Sequence, residues 1–88
     1  MTHSTAVEVL NPLGMHARPS AEFVKLAGSF AASVTVGRGD LTVNGKSIMG
    51  VLMLAAEQGS ALTISARGDD AAEAVAALAA LVRRGFDE

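Results

Sequence analysis

The sequence predicts an α+β fold in which three helices cover one face of a four-stranded antiparallel sheet, in the order β-α-β-β-α-β-α. Short stretches of period-two alternation recur along the chain and read as half-buried strands. Between them lie segments with apolar residues at helical spacing. Every strand-like stretch keeps one polar side and every helix one apolar stripe, which fits an antiparallel sheet covered on one side only.

The elements follow in order. Thr5 to Leu10 alternates, with Val7 and Val9 flanking Glu8, and Asn11-Pro12 ends the strand. The polar residues before it, His3 among them, are expected to form a mobile terminus. From Ala17 the period changes: Pro19, Phe23, Leu26, Ala27 and Phe30 share a helical face opposite Glu22, Lys25 and Ser29. Pro19 fits a first turn, where its missing N–H has no acceptor to lose. Ser33 to Val36 and Leu41 to Val43 read as a hairpin across Gly37-Arg-Gly-Asp40, and Asn44-Gly45 breaks the second strand. Ser47 is an N-cap residue ahead of a short helix over Ile48 to Leu54, although Gly50 lowers the helical propensity there. Glu57 to Ser60 forms a turn, and Ala61 to Ala66 is a strand with Leu62, Ile64 and Ala66 on one face. Gly68-Asp-Asp70 opens the last helix. Asp70 and Glu73 have capping-box spacing there, Ala74, Val75, Leu78, Leu81 and Val82 form the stripe, and Gly85 caps the end after Arg83 and Arg84.

Residues 1–88 are expected to form a single domain, because this length builds one small core. Half the residues are hydrophobic but only three are aromatic, all Phe, so the core must be aliphatic and alanine-rich, with closely packed elements. A net charge of −2, with seven basic residues scattered along the chain, gives no basic stripe for nucleic acid. The absence of cysteine excludes disulfides and thiolate metal sites. Neither a secretory leader nor a membrane-spanning run is visible, so a soluble protein of the cytoplasm is expected. The common hydrolase, nucleotide-binding and zinc signatures are missing. No metal and no cofactor are expected, since two histidines are too few ligands.

The most informative stretch is Asn11-Pro-Leu-Gly-Met-His-Ala-Arg-Pro-Ser20. It places His16 and Arg18 at a helix start, where unpaired N–H groups and partial positive charge normally favour acidic side chains. Singly, His16 would read as an N-cap and Arg18 as a solvated side chain. Together they point to an anion site. The dipole disfavours the imidazolium, which keeps a ring nitrogen free to attack phosphorus. Once on the ring, a phosphoryl group brings acceptor oxygens to the first-turn N–H groups and to Arg18. A dipole interaction of this kind is worth about 0.3–1 kcal/mol, which tunes the phosphorylated state without locking it. The motif offers no second acid or base beside His16.

Gly14-Met-His-Ala-Arg-Pro19, followed further along by Lys46-Ser-Ile-Met-Gly50, resembles HPr, the family of histidine-containing phosphocarriers of the bacterial phosphotransferase system. The resemblance covers nearly the whole chain, and the derived element order agrees with the family's open-faced β-sandwich. It implies a stoichiometric carrier rather than an enzyme. His16 would accept a phosphoryl group on Nδ1 from phosphorylated enzyme I and pass it to a sugar-specific enzyme IIA, with Arg18 as electrostatic partner. A member that has lost the histidine and acts only in regulation is disfavoured by His16. A nitrogen-branch or purely regulatory relative, read by protein binding, is the alternative. A phosphohistidine hydrolase would need an acid or base near His16.

Capping alone would explain Ser47. The resemblance adds that serine at this position is a target of HPr kinase/phosphorylase in many bacteria. A short helix that is apolar all round cannot bury every side, so part of Ile48, Met49, Leu52 and Met53 is expected to face outward. By the resemblance, Ile48, Met49 and Leu52 form a docking patch joined by Ala21 and Lys25. Gly28 stands where many members carry a basic residue, which thins the basic rim. A monomer is expected.

Overall fold

A computed structural model describes all residues 1–88. Strand β1 spans Thr2–Glu8, helix α1 Ala17–Gly28, β2 Ser33–Arg38, β3 Leu41–Asn44, α2 Ile48–Met53, β4 Ala61–Arg67 and α3 Ala71–Arg83. A 3-10 turn, Gly85–Asp87, follows α3. The four strands form one antiparallel sheet in the order β1-β4-β2-β3. This is the α+β architecture that the alternating and helical segments predict.

Period-two alternation fixes which side of the sheet is covered. Val7 of β1 lies opposite Leu62 of β4, and Ile64 and Ala66 of β4 lie opposite Val36 and Val34 of β2. All six are buried. Their neighbours Ser4, Ala6, Thr63, Ser33 and Thr35 form the bare face, a run of small polar and methyl side chains in water. Helix α3 lies on β1 and β4, while α1 packs against α2 and α3. Ala71, Ala74 and Ala79 are buried along α3, so that helix approaches the sheet closely, as the alanine content anticipates. Phe23 of α1 and Phe86 after α3 are the largest fully buried side chains of the core.

The structure corrects three expectations. β1 begins at Thr2 rather than Thr5 and ends at Glu8, so His3 is no mobile tail but pairs with Ala66 inside the ladder. Continuous pairing with the central strand β4 orders that polar segment, a tertiary gain that alternation alone does not encode. The capping box at α3 is not formed, because Asp70 makes no side-chain cap. Its carboxylate instead accepts from the backbone N–H groups of Ala31 and Ala32, both at 2.8 Å, and so ties the loop after α1 to the start of α3. Those hydrogen bonds, the one from Ala31 first, hold the Asp70 carboxyl below its ordinary range. Finally, the hairpin strand runs to Arg38 and turns at Gly39-Asp40 only.

Ser47 does cap α2, its Oγ accepting from the Gly50 N–H at 3.1 Å. At the other end of α2, the Arg38 guanidinium donates to the carbonyls of Leu54 and Ala55, both at 3.1 Å. That places the Ala55-Ala56 segment against the loop ahead of α1.

Candidate functional site

The loop from Asn11 to His16 is pinned at several points. The Asn11 side chain is buried and its Nδ2 donates to the carbonyl of Gly14 at 2.7 Å, while the Gly14 N–H returns to the Asn11 carbonyl at 3.0 Å. Gly14 has φ +66°, and a Cβ there would stand 2.4 Å from the carbonyl oxygen of Ala56, so only glycine fits. Met15 is buried, donates its N–H to that same Ala56 oxygen at 2.8 Å and accepts the Ser20 hydroxyl on its own carbonyl at 2.9 Å. His16 therefore emerges from a rigid base.

His16 occupies the N-cap position of α1 with extended backbone, yet its side chain makes no capping hydrogen bond. That removes the capping explanation for the imidazole. The first turn of α1 holds no acidic residue, and Pro19 is buried within it. Ser20 is the first residue to donate into the helix, to the His16 carbonyl at 3.0 Å, so the N–H groups of Ala17 and Arg18 precede any intrahelical donor. With no counter-charge in that turn, the dipole favours an anion above it.

An anion is in place. The Glu88 carboxylate reaches back across the molecule to the His16 ring: Oε2 lies 2.8 Å from Nε2 and 2.6 Å from an Arg18 Nη, and Oε1 accepts from Asn11 Nδ2 at 2.8 Å. The Arg18 guanidinium also bonds the Glu22 carboxylate through its other terminal nitrogen. Arg18 is half in water, whereas the Glu88 side chain is only 16% exposed. The Asn11 hydrogen bond, followed by those from His16 and Arg18, holds the Glu88 carboxyl below its ordinary range, although desolvation opposes them. His16 and Arg18 thus share one oxyanion, which corrects the expectation that no acid stands beside His16.

Glu88 and Asn11 were not legible as site residues. Asn11 reads as a turn residue, which it also is. Glu88 carries no local signal, because its position depends on how the chain leaves α3. Gly85, Phe86 and Asp87 all have positive φ, and the buried Phe86 ring anchors this left-handed segment so that the next residue meets His16. Gly85 does take the left-handed conformation expected after α3.

The apolar surface lies on α2. Met49 is 67% exposed, and Ile48, Leu52 and Met53 also face water, while Val51 and Leu54 are buried. Ala21 is exposed on α1, the helix packed beside α2. Lys25 is exposed as well and borders a shallow groove with Glu22, Leu26, Ser29 and, from α3, Leu81. Leu13, 73% exposed in the pinned loop, is a further apolar side chain that the motif reading passed over. Ser47 is half-buried at the start of α2. No group of three or more His, Cys, Asp or Glu side chains could hold a metal ion, and no helix is long and apolar enough to cross a membrane.

Comparison with known proteins bears on the family and the fold. Residues 3–84 match the family described as the PTS HPr component phosphorylation site. The chain is 45% identical over 83 residues to the phosphocarrier protein HPr of Neisseria meningitidis serogroup A, covering 94% of this chain and 93% of that one. It is also 40% identical over 89 residues to the phosphocarrier protein NPr of Proteus mirabilis, covering 100% and 99%. Among solved structures, an HPr from Thermoanaerobacter tengcongensis superposes with a TM-score of 0.94 at 41% identity, covering 98% of this chain and 97% of that one.

Proposed function

Since the chain belongs to the HPr family of phosphocarriers of the phosphotransferase system, we propose that His16 is the residue that takes the phosphoryl group, with Arg18 as its electrostatic partner. The single observation that supports this is the oxyanion shared by the two side chains above an α1 start with no acidic residue of its own. A phosphoryl group on the ring would draw the Arg18 guanidinium away from Glu22 and Glu88 and offer oxygens to the N–H groups of Ala17 and Arg18. Such a protein is a carrier, not an enzyme: it holds the group stoichiometrically and gives it up to the next protein.

The donor in this reading is phosphorylated enzyme I and the acceptor a sugar-specific enzyme IIA, both docking on the α2 surface of Ile48, Met49 and Leu52 with Ala21 and Lys25 on α1. Flexible methionines suit a face that accepts more than one partner. The setting is the cytoplasm. Incubation with phosphoenolpyruvate and cognate enzyme I is expected to add one acid-labile phosphoryl group, and the same label in His16→Ala would overturn the assignment. Ser47 caps α2, and a regulatory phosphate there, placed by HPr kinase/phosphorylase, would add negative charge near the docking face. Ser47→Asp is expected to slow phosphorylation by enzyme I; an unchanged rate leaves Ser47 as a cap alone.

The full-length match to an NPr supports a second reading, a nitrogen-branch or regulatory carrier whose phosphorylation state is read by protein binding. Transfer from the phosphorylated protein to any sugar permease component decides for the sugar branch, and failure with all of them decides for the other.

A further inference from the structure

We propose that Glu88 is a positioning residue for the accepting ring: its carboxylate holds His16 as the Nε2–H form, leaves Nδ1 as the nucleophile, and then faces the positive ring that transfer creates. This rests on the reading of His16 as the acceptor. An ionised carboxylate has only lone pairs, so the ring nitrogen 2.8 Å from Oε2 must carry a hydrogen. A neutral imidazole has one N–H, which leaves the lone pair on Nδ1, and no protein group bonds that atom.

Asn11 fixes the other side of the carboxylate. Its Nδ2 faces two acceptors, the Gly14 carbonyl and Glu88 Oε1, so the amide has a single admissible orientation. The side chain that shapes the turn below His16 therefore also holds the group beside it. The path to Glu88 is strained, since Phe86 and Asp87 are non-glycine residues with φ of 57° and 58°. Such conformations persist where the surroundings over-determine them, here by the fully buried Phe86 ring and the contacts of Glu88.

In the transfer step, the Nδ1 lone pair forms the N–P bond while the bond from phosphorus to the donor breaks, its electron pair returning to the donor. No proton moves. The ring keeps its Nε2 hydrogen and gains a positive charge, directly against the Glu88 carboxylate, an electrostatic stabilisation in place before the reaction begins. Onward transfer runs the same charges in reverse.

Glu88→Gln tests this because an amide has one oxygen. Asn11 Nδ2 requires an acceptor on one side, Arg18 and the ring N–H require one on the other, and the carboxamide can serve only one side. The experiment combines ¹⁵N NMR of the neutral His16 ring with the rate of phosphorylation by phosphorylated enzyme I, for wild type, Glu88→Gln and Glu88→Asp. In wild type the Nε2–H form should dominate. In Glu88→Gln it should lose population to the Nδ1–H form, with kcat for the carrier about three- to tenfold lower, KM unchanged, and partial recovery in Glu88→Asp. A labelled wild type together with an unchanged tautomer and rate in Glu88→Gln overturns the role of Glu88. A wild type that takes no label overturns the reading of His16, and the NMR comparison still decides whether Glu88 sets the tautomer.

Discussion

Ala55 is an alanine held where glycine belongs, and replacing it should stabilise the protein. Its φ is +48°, in the left-handed region, and the residue is exposed, so removing its methyl group gives up little buried apolar surface. Left-handed backbone costs an L-residue about 1–2 kcal/mol. Glycine removes that cost but brings a more flexible unfolded chain, which takes back about 0.4–1 kcal/mol. Ala55→Gly should therefore gain about 0.5–1 kcal/mol, or about 2–8 °C in Tm for a domain of this size. The hydrogen bonds that hold the residue use its main-chain groups, its N–H donating to the Leu52 carbonyl at 3.1 Å and its carbonyl accepting from the Arg38 guanidinium, and both survive the change.

Urea unfolding is the assay. The midpoint should rise with the slope m unchanged, since the surface exposed on unfolding stays nearly the same. A lowered or unmoved midpoint refutes the reasoning. The next carbonyl, that of Ala56, receives the Met15 N–H beneath His16, so the same variant asks whether the strain serves the site. Because those anchors remain, phosphorylation by enzyme I should proceed at the wild-type rate.

Ser47→Ala should lose about 1 kcal/mol by urea unfolding, the worth of the hydrogen bond from the Gly50 N–H to the cap. Phe86→Ala should cost about 3–5 kcal/mol through the cavity it leaves, and should also free Glu88 from His16, seen as a change in the His16 ring ¹⁵N shifts. Asp70, whose carboxyl is held below its ordinary range, contributes stability that is fully present above the unfolded carboxyl value of about 3.9 and is lost as pH falls through the lower folded value. The stability gap between wild type and Asp70→Asn should accordingly be widest at neutral pH and close in acid; a gap independent of pH would show that the two backbone bonds do not depend on the charge. Arg18→Ala should slow phosphoryl transfer and leave the unfolding midpoint near wild type, because the side chain is half in water and its ion pairs are surface ones.

Local patterns made most of the fold readable. Val7, Leu62 and Ile64 alternate because a half-buried strand requires it, and the start of α1 and the Ser47 cap follow from residues that act within one turn. What stayed hidden depends on contacts between residues far apart in sequence. The polar stretch Thr2 to Ser4 is a strand only because β4 lies beside it, and Asp70 leaves its own helix because two N–H groups of a distant loop offer better partners.

The site divides along the same line. His16 and Arg18 stand out because they break a local rule, cationic groups at the positive end of a helix, and a broken rule needs no tertiary information to be seen. Glu88 breaks no rule where it stands in the sequence. It becomes part of the site through a left-handed turn, a buried phenyl ring and the buried amide of Asn11, none of which has a periodic signature. The group that receives phosphate can thus be read from ten consecutive residues, Asn11 to Ser20, while the group that readies it is set by how the last helix ends.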